Sequence, residues 1–338
     1  MSSAPPFWWS KPGWQAWALF PFSMVYGLVA SRRMARAPRK KIDVPVICIG
    51  NFTVGGTGKT PTTIALAKAA IRRGLKPGIL SRGHGGTLRR AHIVNPKEDT
   101  AAIVGDEPLL LAQHATVAVS RKRLSGAELL LENGCDLILM DDGFQSAHLE
   151  IDHALLVVDA RTGLGNAHVI PGGPLRAPLI EQLRYADSLL CIGSGTAADT
   201  VLRMAARAGK AIYTAATIAV EPDAFAGKKV LAFAGIGHPQ RFFDALAHAG
   251  ADVVQTRVFG DHHPFKPAEL QELEREASSA RLQLVTTEKD AARLRGSIVP
   301  EGFLQRLAVF GVETRFEPED VPDRIIDAAT VAFRKRRF

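Results

Sequence analysis

A chain of 338 residues, 46% of them hydrophobic, holds enough apolar material for two α/β lobes or one large one. Its three cysteines, Cys48, Cys135 and Cys191, stand far apart in or beside apolar runs. That spacing argues against a disulfide framework or a clustered zinc site, and for buried thiols in a reducing cytosol. The formal charge of +8 is unevenly spread, with one basic cluster near the N-terminus and a second, Arg334-Lys335-Arg336-Arg337, near the C-terminus.

Residues 12–31 carry no charge and include Trp14, Trp17, Phe20, Phe22, Val25, Leu28 and Val29. A helix needs about 20 apolar residues to cross a bilayer. This run only reaches that length, and Gln15, Pro21 and Ser23 interrupt it. Three readings stay open here: a span, a helix packed on the protein's own core, or a helix lying in the interface with Trp8, Trp9, Trp14 and Trp17 at headgroup depth. Arg32, Arg33, Arg36, Arg39, Lys40 and Lys41 follow without an intervening acid, as suits the cytoplasmic side of an anionic membrane. Residues 1–42 are therefore read as a hydrophobic, membrane-associating helix with a basic cluster. A cleaved signal peptide does not fit, because a nucleotide-binding strand begins a few residues later.

That strand is the apolar run 44–49. It leads into Thr53-Val54-Gly55-Gly56-Thr57-Gly58-Lys59-Thr60 and then a helix over 62–70. Strand, glycine-rich turn, Gly-Lys-Thr and helix form the context of a P-loop. Glycines let backbone N–H groups close around phosphate oxygens, and the helix N-terminus adds a favourable dipole. In this reading Thr53 to Thr60 bind the nucleotide, Lys59 reaches the β- and γ-phosphates, and Thr60 binds Mg2+. Thr53 stands where the consensus has its first glycine. No Asn-Lys-x-Asp string supports guanine specificity, so ATP is the expected nucleotide.

Further on, the pattern predicts strands at 77–83, 115–119, 136–140, 154–158 and 188–192, with helices at 107–114 and 122–132. The later half gives strands at 229–234, 251–258 and 282–286, and helices at 239–248, 267–277 and 289–294. Strands alternating with helices imply a mostly parallel sheet covered on both faces. Interruptions at 220–228 suggest a boundary, giving a P-loop domain at 43–222 and a second, smaller α/β lobe at 223–338.

Several acids and bases are placed to carry chemistry. Asp141 and Asp142 end an apolar strand in a Walker-B-like arrangement, where either could hold Mg2+. Gly105-Asp106-Glu107-Pro108 puts two acids at a helix start, as a cap or as a base for a substrate hydroxyl. Gly260-Asp261-His262-His263 is a polar loop or the source of a histidine paired with a carboxylate. Arg82, Arg121, Arg123 and Arg176 are candidate phosphate clamps.

Taken together, Val54-Gly55-Gly56-Thr57-Gly58-Lys59-Thr60-Pro61, Ser81-Arg82-Gly83, Gly105-Asp106-Glu107-Pro108, Asp141-Asp142-Gly143-Phe144-Gln145, Pro174-Leu175-Arg176, Asp261-His262-His263 and Thr287-Glu288-Lys289-Asp290 resemble, in order, the tetraacyldisaccharide 4′-kinases of Gram-negative bacteria. The resemblance implies transfer of the ATP γ-phosphate to the 4′-hydroxyl of an acylated glucosamine disaccharide 1-phosphate, giving lipid IVA, on the cytoplasmic face of the inner membrane. It implies Asp106 as base with His262 paired to it, Lys59 and Thr60 in their P-loop roles, and Asp141 and Asp142 in the Mg2+ region. The partners it implies are the lipid acceptor and the inner-membrane surface, not nucleic acid. One departure is Ala177, where the family often has Glu, so no role for that Glu carries over. The rival reading is a membrane-associated P-loop ATPase switch with no small-molecule acceptor.

Overall fold

The computed structural model describes residues 4–36, 38–146, 148–295 and 297–337. Thirteen strands lie within them: β1 (Val46–Asn51), β2 (Pro77–Ser81), β3 (His92–Ile93), β4 (Thr116–Val119), β5 (Leu137–Asp141), β6 (His153–Asp159), β7 (Ser188–Ile192), β8 (Ala211–Ala219), β9 (Lys229–Ala234), β10 (Asp252–Val258), β11 (Gln283–Thr287), β12 (Leu307–Phe310) and β13 (Val312–Glu317).

They form two sheets, one of nine strands in the order β13-β8-β7-β6-β1-β5-β2-β4-β3 and one of four in the order β10-β9-β11-β12. The small sheet is parallel throughout, and the large one is parallel except at its edges, where β13 pairs antiparallel with β8 and β3 with β4. β1, β2, β5, β6 and β7 are buried along their whole length. Their near-continuous apolar runs are what a parallel strand covered on both faces requires. The chain visits β5 on one side of β1 and β6 on the other. β1 thus marks the switch point of the sheet, where ligands of open α/β sheets bind outside the strand C-termini.

One face of the large sheet packs a cluster that includes Met34, Phe52, Leu130 and Leu183; the other packs Leu66, Leu111, Ile325 and Ile326. The small sheet has its own two-sided core, around Phe243 on one face and Phe233 and Phe303 on the other.

The small sheet begins with β9, and its lobe does not run on through 338. From Val312 onward the chain returns to the large lobe. β13 pairs with β8 from Val312↔Ala219 to Glu317↔Thr214, and the helix Val321–Arg337 buries Val321, Ile325, Ile326 and Ala329 on the large sheet. These positions recur at helical spacing, so one stripe of the helix is core and the rest is solvated. Arg336 fastens its end: the guanidinium donates to the carbonyls of Ile42 and Val44 and lies 3.0 Å from Asp152.

The N-terminal segment is likewise packed on the large lobe. Helices Trp14–Ala18 and Phe20–Arg36 follow a short turn, and the longer one buries only Ser23, Gly27 and Met34. Trp8 Nε1 donates to the Pro171 carbonyl (3.0 Å), and Gly172 N–H donates to Ser23 Oγ (3.0 Å). The opposite face leaves Trp14, Phe22, Val25 and Val29 more than half exposed. Among the described residues, no helix is long and apolar enough to cross a membrane.

Since the last helix belongs to the large lobe, Ile325→Ala should destabilise that lobe by about 2–5 kcal/mol through the cavity it leaves. Hydrogen exchange under mild urea should then lose protection in β1 and β6 while β9 and β11 keep theirs. Loss confined to β9 and β11 would place the helix in the wrong lobe.

Candidate active site

The P-loop connects β1 to the helix Lys59–Arg72. Gly55 and Gly58 sit at φ +116° and +92°, and a Cβ on Gly58 would come within 2.8 Å of Ile192. Backbone conformation and space both demand glycine at that helix entrance. Thr53 has no such demand. It is buried and bridges to Leu175, and its carbonyl accepts from Arg176 Nε (3.0 Å), so the loop opens on an extended residue instead of a glycine.

Lys59 Nζ lies 3.9 Å from Asp142 Oδ1, and Arg176 grips the same carboxylate with a forked pair of bonds (2.7 and 3.1 Å). Burial pushes the Asp142 carboxyl up, but Lys59 and Arg176 more than offset this and hold it below the usual range. Burial lowers Lys59, with Asp142 opposing. Arg123, also buried, donates to the Asp142 carbonyl (3.1 Å). Arg176 and Arg123 therefore brace Asp142, whereas Arg82 is exposed.

Asp141 Oδ1 accepts from Thr63 Oγ1 (3.2 Å); burial first, and then the charge of Glu107, pushes its carboxyl up to about 7. Thr60 is buried one residue past Lys59. Beside these groups, Thr57 Oγ1 and Asn51 Oδ1 are buried without a hydrogen-bond partner among the described residues. Such atoms fit a site completed by phosphate oxygens and metal-bound water, since a buried polar atom left alone costs free energy. Among the described residues no three His, Cys, Asp or Glu side chains gather as a metal cage. Mg2+ at a phosphate needs only one or two carboxylates, the rest being phosphate and water oxygens. Ala177 is fully buried and offers no ligand.

Across from the P-loop, Asp106 begins the helix Asp106–Leu111 after Gly105, at φ +95°. A Cβ at Gly105 would stand 2.6 Å from the His84 carbonyl, which is why the acid is preceded by glycine. Asp106 Oδ2 meets His262 Nδ1 at 2.9 Å and accepts from Arg293 at 2.7 Å, both from the other lobe; Oδ1 accepts from Glu107 N–H. Burial opposes its charge, yet His262 and Arg293 hold its carboxyl well below the ordinary 3.8. The bond to Asp106 correspondingly raises His262 above its ordinary 6.5, although burial opposes this. His263 points elsewhere, to Glu269 (2.9 Å), so the two histidines share no ligand.

The next acid, Glu107, pairs with Lys289, and its charge acts on both Lys59 and Asp141. Of the two successive acids, Glu107 is thus the one whose charge reaches the P-loop lysine, while Asp106 is held by the other lobe. A fourth cross-lobe contact joins Asp159, at the end of β6, to Arg241.

The sequence reading gave no role to Arg293 or Arg241, nor to Lys289, which it named only within the string Thr287-Glu288-Lys289-Asp290. The signal for two of them lies in the helix Glu288–Leu294. Lys289 and Arg293 are four residues apart, hence on one face, and match the successive acids Asp106 and Glu107. Asp290 anchors this helix by accepting from Gly235 N–H and from Arg293.

The sequence profile of the Tetraacyldisaccharide-1-P 4′-kinase family matches residues 15–330. The chain is 55% identical to the tetraacyldisaccharide 4′-kinase of Mesorhizobium japonicum, over 100% of its own length and 99% of that protein's. It is 52% identical to the enzyme of that name from Agrobacterium fabrum, over 99% and 97%. A crystal structure of LpxK from Aquifex aeolicus in complex with ATP superposes with a TM-score of 0.72 at 26% identity, covering 93% of this chain and 99% of that one. The chain belongs to the tetraacyldisaccharide 4′-kinase family.

Proposed function

We propose that this chain performs its family's reaction, transferring the ATP γ-phosphate to the 4′-hydroxyl of tetraacyldisaccharide 1-phosphate to form lipid IVA, at the cytoplasmic face of the inner membrane. The observation that carries the chemistry is the buried Asp106 carboxylate, bonded across the lobes to His262 and Arg293. Phosphoryl transfer demands in-line positioning, charge neutralisation and a place for the hydroxyl proton. The P-loop N–H groups and Lys59 take the triphosphate. Thr60, with Asp141 or Asp142, would hold Mg2+, which neutralises charge on the transferring group when bound.

The Asp106–His262 pair receives the acceptor's proton. Asp106 alone is a weak base, because its carboxyl is held so low. With His262 neutral, the pair takes up one proton and ends as carboxylate and imidazolium, the form that the hydrogen bond and the charges favour. A nucleotide switch without an acceptor would leave this cross-lobe pair without a task.

An acceptor with four acyl chains stays in a bilayer, so its kinase must dock there. The exposed face of the helix Phe20–Arg36 and the bulky Trp14 and Trp17 supply an apolar surface of the interfacial kind. The acyl chains would lie in the same layer as these side chains.

Three outcomes follow. Asp106→Asn, which keeps an acceptor for Arg293, should melt as a folded protein yet transfer phosphate about 100- to 10,000-fold more slowly, the range of a lost general base. Near wild-type turnover on detergent-solubilised acceptor, with Mg2+ and ATP, would remove Asp106 from that role. Turnover should rise with pH through a value above the ordinary histidine 6.5, because the raised group must lose its proton to serve. That limb should disappear in His262→Ala; a limb unchanged in the variant would assign it to another group. Finally, Val25→Asp with Val29→Asp should abolish sedimentation with vesicles and spare transfer to acceptor in micelles. Undiminished sedimentation would count against the apolar face.

A further inference from the structure

Two basic clusters remain outside the catalytic cleft, one after the N-terminal helix and one at the C-terminus. The fold brings them together. Arg336 NH2 donates to Ile42 O (3.0 Å) and Val44 O (3.3 Å), across 294 residues of sequence for the former. Its guanidinium also lies 5.0 Å from the Phe333 ring centroid, 3.0 Å from Asp152 and 3.9 Å from Glu150. The last turn of the C-terminal helix is thereby fixed against the linker carrying Lys40 and Lys41, and the acids Asp152 and Glu150 are engaged by Arg336. Lys40, Lys41, Arg334 and Lys335 are exposed at this end of the large lobe, with Asp43 as the exposed acid among them.

The helix Phe20–Arg36 leads into that linker. Its outward face runs from Phe22, Val25 and Val29 to Arg32, Arg33 and Arg36, at spacings of three, four and seven that keep one side of a helix. Along this helix the apolar surface therefore passes into a cationic one that leads on to Lys40 and Lys41. An apolar stripe that passes into a cationic rim fits a bilayer, where acyl chains give way to anionic headgroups. A nucleic acid would use the rim and leave the stripe unexplained.

We infer that the C-terminal helix end and the basic linker form one cationic surface that takes the phosphate headgroups of the bilayer entered by the N-terminal helix. The inference rests on the membrane reading above and adds a second, sequence-distant contact that sets the orientation of the large lobe on the membrane. Since charge attraction at a membrane decays within a Debye length, this contact weakens with salt and the apolar one does not.

The test pairs wild type with Arg334→Gln/Lys335→Gln, whose changed side chains lie away from the cleft. Binding is read by sedimentation with phosphatidylglycerol/phosphatidylethanolamine vesicles and with purely zwitterionic ones. Each basic side chain near an anionic surface is worth about fivefold in partition, so the double variant should bind the anionic vesicles about 25-fold more weakly at low salt. Binding to zwitterionic vesicles and transfer to micellar acceptor should match wild type. Equal binding of both proteins to anionic vesicles would overturn this inference and leave the membrane reading intact. Wild type that sediments with neither vesicle would overturn both. An equal loss on both vesicle types, or tighter wild-type binding to duplex DNA than to anionic vesicles, would overturn the assignment of headgroups as the ligand.

Discussion

The site depends on one charge arrangement: two successive acids of the large lobe, Asp106 and Glu107, held by three cations of the small one, His262, Lys289 and Arg293. Asp106 and Arg293 are both almost wholly buried. Removing one partner of a buried pair leaves an uncompensated charge, at a cost of about 3–5 kcal/mol. The lobes are therefore not free to drift: each position of the small lobe is tied to whether these charges are matched. Asp159 and Arg241 add a further fastening at the end of β6.

In the proposed reaction the Asp106–His262 pair links closure to proton transfer. His262 faces Asp106, Asp261 and Arg293, with Asp106 the dominant influence. Its raised value means that its contribution to holding the lobes is full below about 6.5 and is lost as pH rises through the raised value. The depressed Asp106 contributes above about 3.8 and loses its contribution as pH falls through its own low value. Closure is thus strongest between these limits, while proton acceptance needs His262 neutral, above the upper one. Arg293 resolves the tension: its guanidinium keeps Asp106 paired when His262 does not carry charge.

Much of this was readable from residue pattern, and the remainder was not for a definite reason. The buried parallel strands announce themselves because both faces need apolar side chains, so runs such as 136–140 and 229–234 fall on β5 and β9. β8 and β13 do not: both are half-buried, β8 is rich in Thr and Ala, and β13 finds its partner β8 only across nearly a hundred residues. Periodicity reports which element a segment forms, not which lobe it returns to, and so the helix Val321–Arg337 was assigned by chain order to the wrong one. Asp106 and His262 could each be singled out, although they are 156 residues apart. Arg293 could not, because an arginine in a helix is ordinarily solvated and only the opposing lobe makes it a buried partner.

The N-terminal helix and the P-loop are joined by less chain than their separation in sequence suggests. Around Pro171–Arg176, the Pro171 carbonyl accepts from Trp8 and the Gly172 N–H donates to Ser23, both in the N-terminal segment. Three residues later the Pro174 carbonyl accepts from Val54 N–H, and Arg176 holds Thr53 and Asp142. Asn166 braces the loop from inside, donating to the carbonyls of Phe7 and Gly172. A close-packed segment of this length transmits displacement, since its interior has no slack to absorb it. The exposed apolar helix face and the P-loop are therefore two ends of one small structural unit. In the function proposed above, an acceptor held at that helix face would stand at a fixed offset from Lys59, and Pro171–Arg176 is the segment that sets the offset.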